Sequence, residues 1–148
     1  MLEKPSFRDA ALRKRCVVPA SGYFEWDSEK NPHYIHQEPF LSFAGIYSFW
    51  RDPVKASDDP SRWVLTCSIL TKTAPKALVS IHDRSPVFLS EDGVDAWMSP
   101  DYETTEELLH ALAAESDLVA NDLSQYRVAK DVGNVRNNNP ELISEINF

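Results

Sequence analysis

Three side chains of different chemistry stand next to one another near the middle of the chain. His82, Asp83 and Arg84 lie in the stretch IHDRSP, between two apolar runs. An imidazole exchanges protons near neutral pH without special burial, and a guanidinium binds phosphate or carboxylate groups. Ion-paired turns are common in loops, so two interpretations stand: a charged surface turn, or an acid/base with an anion clamp.

A second candidate is the glutamate in the aromatic segment YFEWD. Strand alternation puts Glu25 on the face opposite Phe24 and Trp26. If the face with the two rings packs into the core, Glu25 faces solvent. A carboxylate in a pocket would instead accept and donate protons near neutral pH.

Three aromatic residues, Tyr23, Trp26 and Trp50, are candidates for stacking on unpaired bases. Aromatic residues in strands more often belong to the core, so both interpretations stand for each of them.

The two cysteines, Cys16 and Cys67, show neither the spacing of metal ligands nor that of a disulfide framework. We therefore predict no metal, no cofactor and a reducing, cytoplasmic environment. A cysteine hydrolase that pairs Cys67 or Cys16 with His82 is an alternative that reactivity toward thiol probes would test.

Composition limits the function further. The 148 residues are 43% hydrophobic and carry a formal net charge of −8, which argues against general attraction to polyanions, so any nucleic-acid binding would be local. The cluster Arg13-Lys14-Arg15 either complements a helix C-terminus or faces phosphate. Neither a basic-apolar leader nor a long apolar segment occurs, which predicts no signal peptide and no membrane span.

The elements that must position these residues are short. Ten prolines, four glycines and brief apolar runs favour a single, mostly β domain over residues 1–148. Strands are predicted at 16–18 and 23–26, with a turn at 19–22 between them, and at 33–36, 41–50, 62–71, 86–89 and 126–130. The pattern of 62–71 predicts a strand buried on one face. Helical turns are predicted after Ser6, at 75–81, after the cap Ser90, and after a capping box at 104–107.

Taken in order, four segments resemble the successive motifs of the SRAP family, the SOS-response-associated peptidases. They are RCVVPASGYFEW, FAGIYSFW, TCSILTKTAPKALVSIHDRSPVFLS and VGNVRNNNPELI. The resemblance runs from about Glu3 to the C-terminus. It implies an α+β, mostly β fold, with a barrel-like antiparallel core and a few short helices.

The resemblance also implies chemistry on abasic sites in single-stranded DNA, within the SOS response to DNA damage. In the family, self-removal of the initiator methionine exposes a cysteine whose amine and thiol form a thiazolidine with the sugar aldehyde. The motifs assign proton transfer to Glu25 and His82, in peptidase and lyase-type steps. They assign DNA contacts to Arg84 and Trp26.

Two family features are missing from this sequence. SRAP proteins begin Met-Cys-Gly-Arg and carry an asparagine-arginine motif ahead of the segment that EKPSFR matches. We therefore expect the leading strands to be absent, an apolar sheet edge to be exposed, and this polypeptide to form no thiazolidine. We expect a monomer when the protein is full length. The alternatives are a non-covalent single-stranded DNA-binding module and a folded remnant without activity.

Overall fold

A computed structural model describes residues 5–101 and 104–146, with side chains from Asp9 onward. Within these residues, six strands, three α-helices and three short 3₁₀ turns follow one another. In chain order they are α1 (Pro5–Arg13), β1 (Arg15–Trp26), β2 (Pro32–Arg51), a turn (Pro60–Arg62), β3 (Trp63–Ile69), β4 (Thr71–Thr73), β5 (Arg84–Pro86), α2 (Glu91–Met98), α3 (Glu106–Asn121), β6 (Ser124–Arg127) and turns at Lys130–Gly133 and Pro140–Ile143.

The long strand β2 organises the sheet. It pairs with β1 along most of its length, and on its other edge with β6 near His33 and with β3 beyond Gly45. The pairs are antiparallel throughout, as are β4 and β5 in a second, two-stranded sheet. The predicted α+β, mostly β fold is confirmed. The strands predicted at 33–36 and 41–50 are joined into one strand.

The turn predicted at 19–22 is wrong, because β1 runs through it as a strand. The pairing register shifts there: Ala20 lies opposite Leu41, whereas Gly22 lies opposite His36. A Cβ atom at Gly22 would lie only 2.4 Å from the ring of Tyr34, so a larger residue at this step would displace that ring. A strand can therefore bend at residues that, read singly, resemble a turn.

Apolar side chains form a cluster on each side of the sheet. On one side, Ile35, Leu41 and Phe43 pack against Ile81 and Phe88, and Tyr23 joins them. We call this the site side of the sheet. On the opposite side, Trp97 of α2 and Leu112 of α3 join a cluster with Ala44, Ile46, Val87 and Leu89. The C-terminal end of α3 reaches the site side through Ala120. The fully buried Trp97 donates its indole N–H to carbonyl oxygens of both β1 and β2.

The helix caps were predicted in part. Ser90 caps α2, as predicted, by accepting from the backbone N–H of Gly93. The cap of α3 is Thr105, whose hydroxyl accepts from Leu108 at 3.1 Å. The predicted capping box at 104–107 is therefore one residue out of register. Thr104 is buried instead, and it donates to the carbonyl of Ala11 at 2.6 Å.

The helix predicted at 75–81 is wrong. The segment forms hydrogen-bonded turns in which the carbonyl of Pro75 accepts from the N–H groups of both Leu78 and Val79. Ala74 then bonds to the carbonyl of Asp83, and this closes the segment into a loop. The buried side chains of Leu78 and Ile81 anchor the loop on the site side of the sheet.

Strand β3 departs most from its predicted environment. The alternation in residues 62–71 predicts one buried face, but all seven residues of β3 are exposed. Among the described residues, β3 pairs with β2 alone and forms one edge of the sheet. Within the described residues, the apolar side chains Trp63, Val64, Leu65 and Ile69 of this edge strand are exposed. No helix in the described part of the chain is long and apolar enough to cross a membrane.

Candidate functional site

His82 follows the buried anchor Ile81, and its own side chain is 44% exposed. Its Nδ1 atom lies 3.1 Å from both the backbone nitrogen and the carbonyl oxygen of Arg84, and 3.3 Å from a carboxylate oxygen of Asp83. These contacts fix the orientation of the ring. They occupy Nδ1 and leave Nε2 as the nitrogen for proton exchange with a bound molecule.

Arg84 is exposed, and its guanidinium is oriented by β4. Its Nη2 donates to the carbonyl and the hydroxyl of Thr71 at 2.9 and 2.6 Å, and its Nε donates to the same hydroxyl at 3.2 Å. An arginine held in this way is preorganised to bind an anion with its remaining N–H groups. The sequence analysis did not identify Thr71, since a lone threonine in an apolar segment gives no local signal.

Trp26 and His82 lie on one open groove of about 380 Å³, formed between the end of β1 and the 75–83 loop. Trp26 is 36% exposed. Lys30 supplies a cation to the rim. The complete lining consists of Trp26, Asp27, Ser28, Lys30, Val79, Ser80, Ile81, His82 and Asp83.

Glu25 is half-buried and lies opposite His33 in the β1–β2 register. It shares a strand face with Tyr23, which packs into the cluster on the site side. Burial of Tyr23, with the nearby charge of Glu25, raises the pKa of the tyrosine hydroxyl. Glu25 does not line the groove that contains Trp26 and His82, and no hydrogen bond joins Glu25 to His82 within the described residues. A Glu25 carboxylate oxygen accepts from the N–H of Trp26 at 3.2 Å.

Asp27 is a further residue of this region, and the sequence analysis did not identify it as a candidate. Its carboxylate accepts from the backbone N–H groups of Asn31 and Glu29 at 2.8 and 2.9 Å, and lies 3.3 Å from Nε2 of His33. The hydrogen bonds, led by that of the Asn31 backbone, hold the pKa of Asp27 well below its usual range. Asp27 also borders a second groove of about 430 Å³, which contains His33 and Arg127.

The other two aromatic candidates, Tyr23 and Trp50, lie in different environments, and neither lines the groove. Tyr23 belongs to the core and packs edge-on against Phe43, with 5.8 Å between ring centroids. Trp50 is exposed at the far end of β2, away from the groove. Only Trp26 combines exposure with a position beside His82.

The basic cluster at residues 13–15 is divided between two environments. Arg15 is part-buried: it donates to the hydroxyl of Thr104 and to the carbonyl of Ser99, and lies 5.5 Å above the ring of Trp97. Arg15 therefore joins β1 to the segment between α2 and α3. Arg13 is exposed at the end of α1.

The structure does not bring either cysteine to His82. Burial raises the pKa of the Cys16 thiol, and the charge of Cys67 raises it further, which opposes the thiolate that a nucleophile needs. Cys67 is exposed on β3 and lines a small cavity of about 100 Å³ that contains no histidine. No cluster of three or more potential metal ligands occurs within residues 5–101 and 104–146.

A larger groove, of about 910 Å³, lies elsewhere, between the sheet and the ends of α2 and α3. It is lined by four carboxylate side chains, those of Glu38, Glu91, Asp95 and Asp122, and by no lysine, arginine or histidine. The smaller groove at His82, in contrast, is lined by Lys30 and His82 together with the carboxylates of Asp27 and Asp83.

The fold and the site define an α+β, mostly β protein with a histidine and a tryptophan in one groove and an arginine oriented by a threonine of β4. The model of one family, SRAP (SOS response associated peptidase), matches residues 1–135. The chain belongs to the SRAP family.

Several named relatives are similar over most of the chain. The abasic site processing protein YoqW of Bacillus subtilis is 35% identical over 147 residues, which cover 95% of this chain and 62% of the relative. YedK of Escherichia coli, another abasic site processing protein, is 32% identical over 139 residues, which cover 89% of this chain and 58% of the relative.

A crystal structure of a protein from Bacteroides thetaiotaomicron has the same fold, with a TM-score of 0.77 and 29% sequence identity. The match covers 98% of this chain and 62% of that protein. The chain thus spans less than two thirds of the length of the relatives it matches.

Proposed function

We propose that this chain carries the acid/base and phosphate-binding residues of a site that processes abasic lesions in single-stranded DNA. The observation that supports this most directly is the shared groove of His82 and Trp26. Arg84, two residues after His82, is held by Thr71. Family membership and the names of the relatives support the same substrate class.

Each residue has a separate role in the proposal. Trp26 stacks on an unpaired base beside the lesion, and Arg84 binds a backbone phosphate. His82 donates and accepts the proton that opens and recloses the sugar ring, through Nε2. Glu25 transfers protons during imine formation. In SRAP proteins that begin with Met-Cys, the glutamate at this position also transfers protons during self-removal of methionine.

The covalent step requires one residue with both a free amine and a thiol. The amine adds to the aldehyde carbon, and loss of water gives an imine. The thiol then adds to that carbon while its proton passes to nitrogen, which closes a thiazolidine. Cys16 and Cys67 are internal to β1 and β3 and have no free α-amine. We therefore propose that the 148-residue polypeptide binds the lesion but does not form the linkage.

The test uses a single-stranded oligonucleotide with one abasic site and, in parallel, an intact one. Denaturing electrophoresis after incubation should show no stable shifted band. Such a band would contradict the proposal that the 148-residue polypeptide does not form the linkage. Fluorescence anisotropy should show binding that weakens as salt increases.

Variants of the proposed site residues test where single-stranded DNA binds. Trp26→Ala is expected to cost about 1–3 kcal/mol, and Arg84→Gln should lower the salt slope by roughly 0.7. Arg51→Gln, at the exposed end of β2, is the matched control. Equal affinity of all three variants and the wild-type chain would place the DNA elsewhere and contradict the proposal.

A further inference from the structure

A second histidine is oriented in a similar way to His82, but through its other ring nitrogen. Nε2 of His33 lies 3.3 Å from a carboxylate oxygen of Asp27, and the side chain of His33 is 17% exposed. The hydrogen bond from the Asn31 backbone, with others, lowers the pKa of Asp27, so this carboxylate is charged at neutral pH. It accepts the Nε2 proton of His33, which leaves a lone pair on Nδ1. Within the described residues, Nδ1 of His33 takes part in no hydrogen bond.

The two histidines lie in grooves that meet. His33 lines the groove of about 430 Å³, and His82 lines the groove of about 380 Å³. Asp27, Ser80 and Ile81 line both grooves. A molecule that lies across these shared residues therefore enters both grooves, with His82 on one side of it and His33 on the other.

The groove at His33 also reaches the part of the sheet that carries Glu25. In the strand registers, His33 lies opposite Glu25 of β1 and opposite Arg127 of β6. Side chains directly opposite each other in an antiparallel pair lie on one face, with Cβ atoms about 4.5–5.5 Å apart. Arg127 lines the same groove as His33. The groove at His33 therefore connects the His82 groove with the neighbourhood of Glu25.

Opening the sugar of an abasic site requires one proton acceptor and one proton donor. The closed sugar is a hemiacetal. A base removes the proton from the hydroxyl at C1′, the C1′–O4′ bond breaks as the carbonyl forms, and an acid protonates O4′. The proposed function assigns the donation to His82 and leaves the acceptor unassigned.

We propose that His33 is a second proton-transfer group of this site, which accepts the proton of the C1′ hydroxyl through Nδ1 while His82 donates a proton to O4′. The inference rests on the proposed function of the His82 groove. The imidazolium of His33 that forms is stabilised by the charge of Asp27, and its proton returns when the ring recloses. Glu25 on β1 and Arg127 on β6, the other charged neighbours in the registers, are of opposite sign.

The experiment measures how fast methoxyamine captures the sugar aldehyde of a single-stranded oligonucleotide with one abasic site. At high methoxyamine concentration ring opening limits the rate, and the wild-type chain should increase that rate. His33→Gln should lower the increase about a hundredfold, because a positioned acid or base contributes about 10²–10⁴-fold. Fluorescence anisotropy should show that its affinity for the oligonucleotide is unchanged. His110→Gln, at an exposed position of α3, is the matched control and should behave as the wild-type chain does.

The pH profile and a second variant separate proton transfer from a structural role. The wild-type rate should rise with pH as His33 loses its proton and fall again as His82 loses its own, whereas His33→Gln should lose the rising limb. Asp27→Asn replaces the acceptor of the Nε2 proton with an amide, so it should lower the rate while the chain still binds DNA. Circular dichroism checks that each variant is folded, and Asp27→Asn decides the question if His33→Gln is not.

Capture at the wild-type rate by His33→Gln overturns the inference. Equal loss of rate and affinity in that variant also overturns it, because His33 would then be a binding residue. If Glu25→Gln loses the rising limb and His33→Gln keeps it, the acceptor is Glu25 and not His33. A wild-type chain that binds abasic DNA without faster capture overturns the inference and leaves DNA binding in place. A wild-type chain that binds no DNA contradicts the proposed function itself, and the inference with it.

Discussion

At the scale of single residues, the site depends on side chains that act through their neighbours. Thr71 orients Arg84, the backbone of Arg84 orients His82, and Asp27 closes the turn that follows Trp26. Thr71 and Asp27 give no catalytic signal in the sequence. The structure adds them because three-dimensional contacts, rather than motifs, determine their partners.

Replacement of Thr71 should test the orientation of Arg84. Thr71→Val removes the hydroxyl that accepts from Nε and Nη2, so the arginine must be ordered when DNA binds. Ordering one such side chain costs about 0.5–1.5 kcal/mol, which predicts affinity for single-stranded DNA lowered roughly two- to tenfold. Thr73→Val, two residues along β4, is the control. Equal affinity of both variants, measured by anisotropy, would count against this role of Thr71.

Asp27 should make the stability of the protein depend on acid pH. Its pKa is lower in the folded chain than its ordinary value near 3.9. The charged form therefore stabilises the fold above that ordinary value, and the contribution is lost as pH falls through the folded pKa. Asp27→Asn should unfold at lower urea concentration at neutral pH, with a difference that shrinks below about pH 4. Asp58→Asn, in an exposed loop, should show no such trend.

Lys30 has a left-handed backbone, with φ of 64°. That conformation costs a residue with a Cβ about 1 kcal/mol, whereas glycine adopts it freely. Lys30→Gly should therefore increase the free energy of unfolding by about 0.5–1 kcal/mol. Lys30→Ala keeps the Cβ and is expected to show no gain. Urea denaturation of the two variants gives the comparison, and a gain in both would rule out the backbone explanation.

At the scale of elements, local sequence patterns predicted whether a segment is a strand better than they predicted which of its faces is buried. The strand at 62–71 is present, but its alternation predicted a buried face that β3 does not have. Alternation shows that a face is apolar and does not show what covers it. The helix predicted at 75–81 was wrong for another reason. The buried side chains of Leu78 and Ile81, and the hydrogen bond from the Ala74 N–H to the Asp83 carbonyl, favour turns over a helix.

Gly22 is the element-scale test of the β1–β2 pairing. Gly22→Ala places a methyl group against the Tyr34 ring and should lower the free energy of unfolding by about 1–3 kcal/mol. Gly133→Ala has nothing within 4 Å of the added Cβ and is the matched control. If the two variants unfold at the same denaturant concentration, Tyr34 moves aside at no cost and the glycine is not required.

At the scale of the whole molecule, the family and fold could be predicted because four motifs occur in the right order. The position of His82 beside Trp26 in one groove could not be predicted, since 56 positions separate them. It depends on the loop anchored by Ile81, which brings His82 to the end of β1. The orientation of Arg84 by Thr71 likewise follows from the pairing of β4 with β5.

The central position of β2 also has a consequence for the order of folding. β1, β2 and β3 are consecutive, so the hairpins that join them close short loops, whereas β6 joins β2 through pairs such as His33 with Arg127, far apart in sequence. Closing longer loops costs more entropy and slows folding. The three-stranded meander should therefore form first and β6 last. In pulsed hydrogen exchange, amides of β1 should gain protection before those of β6.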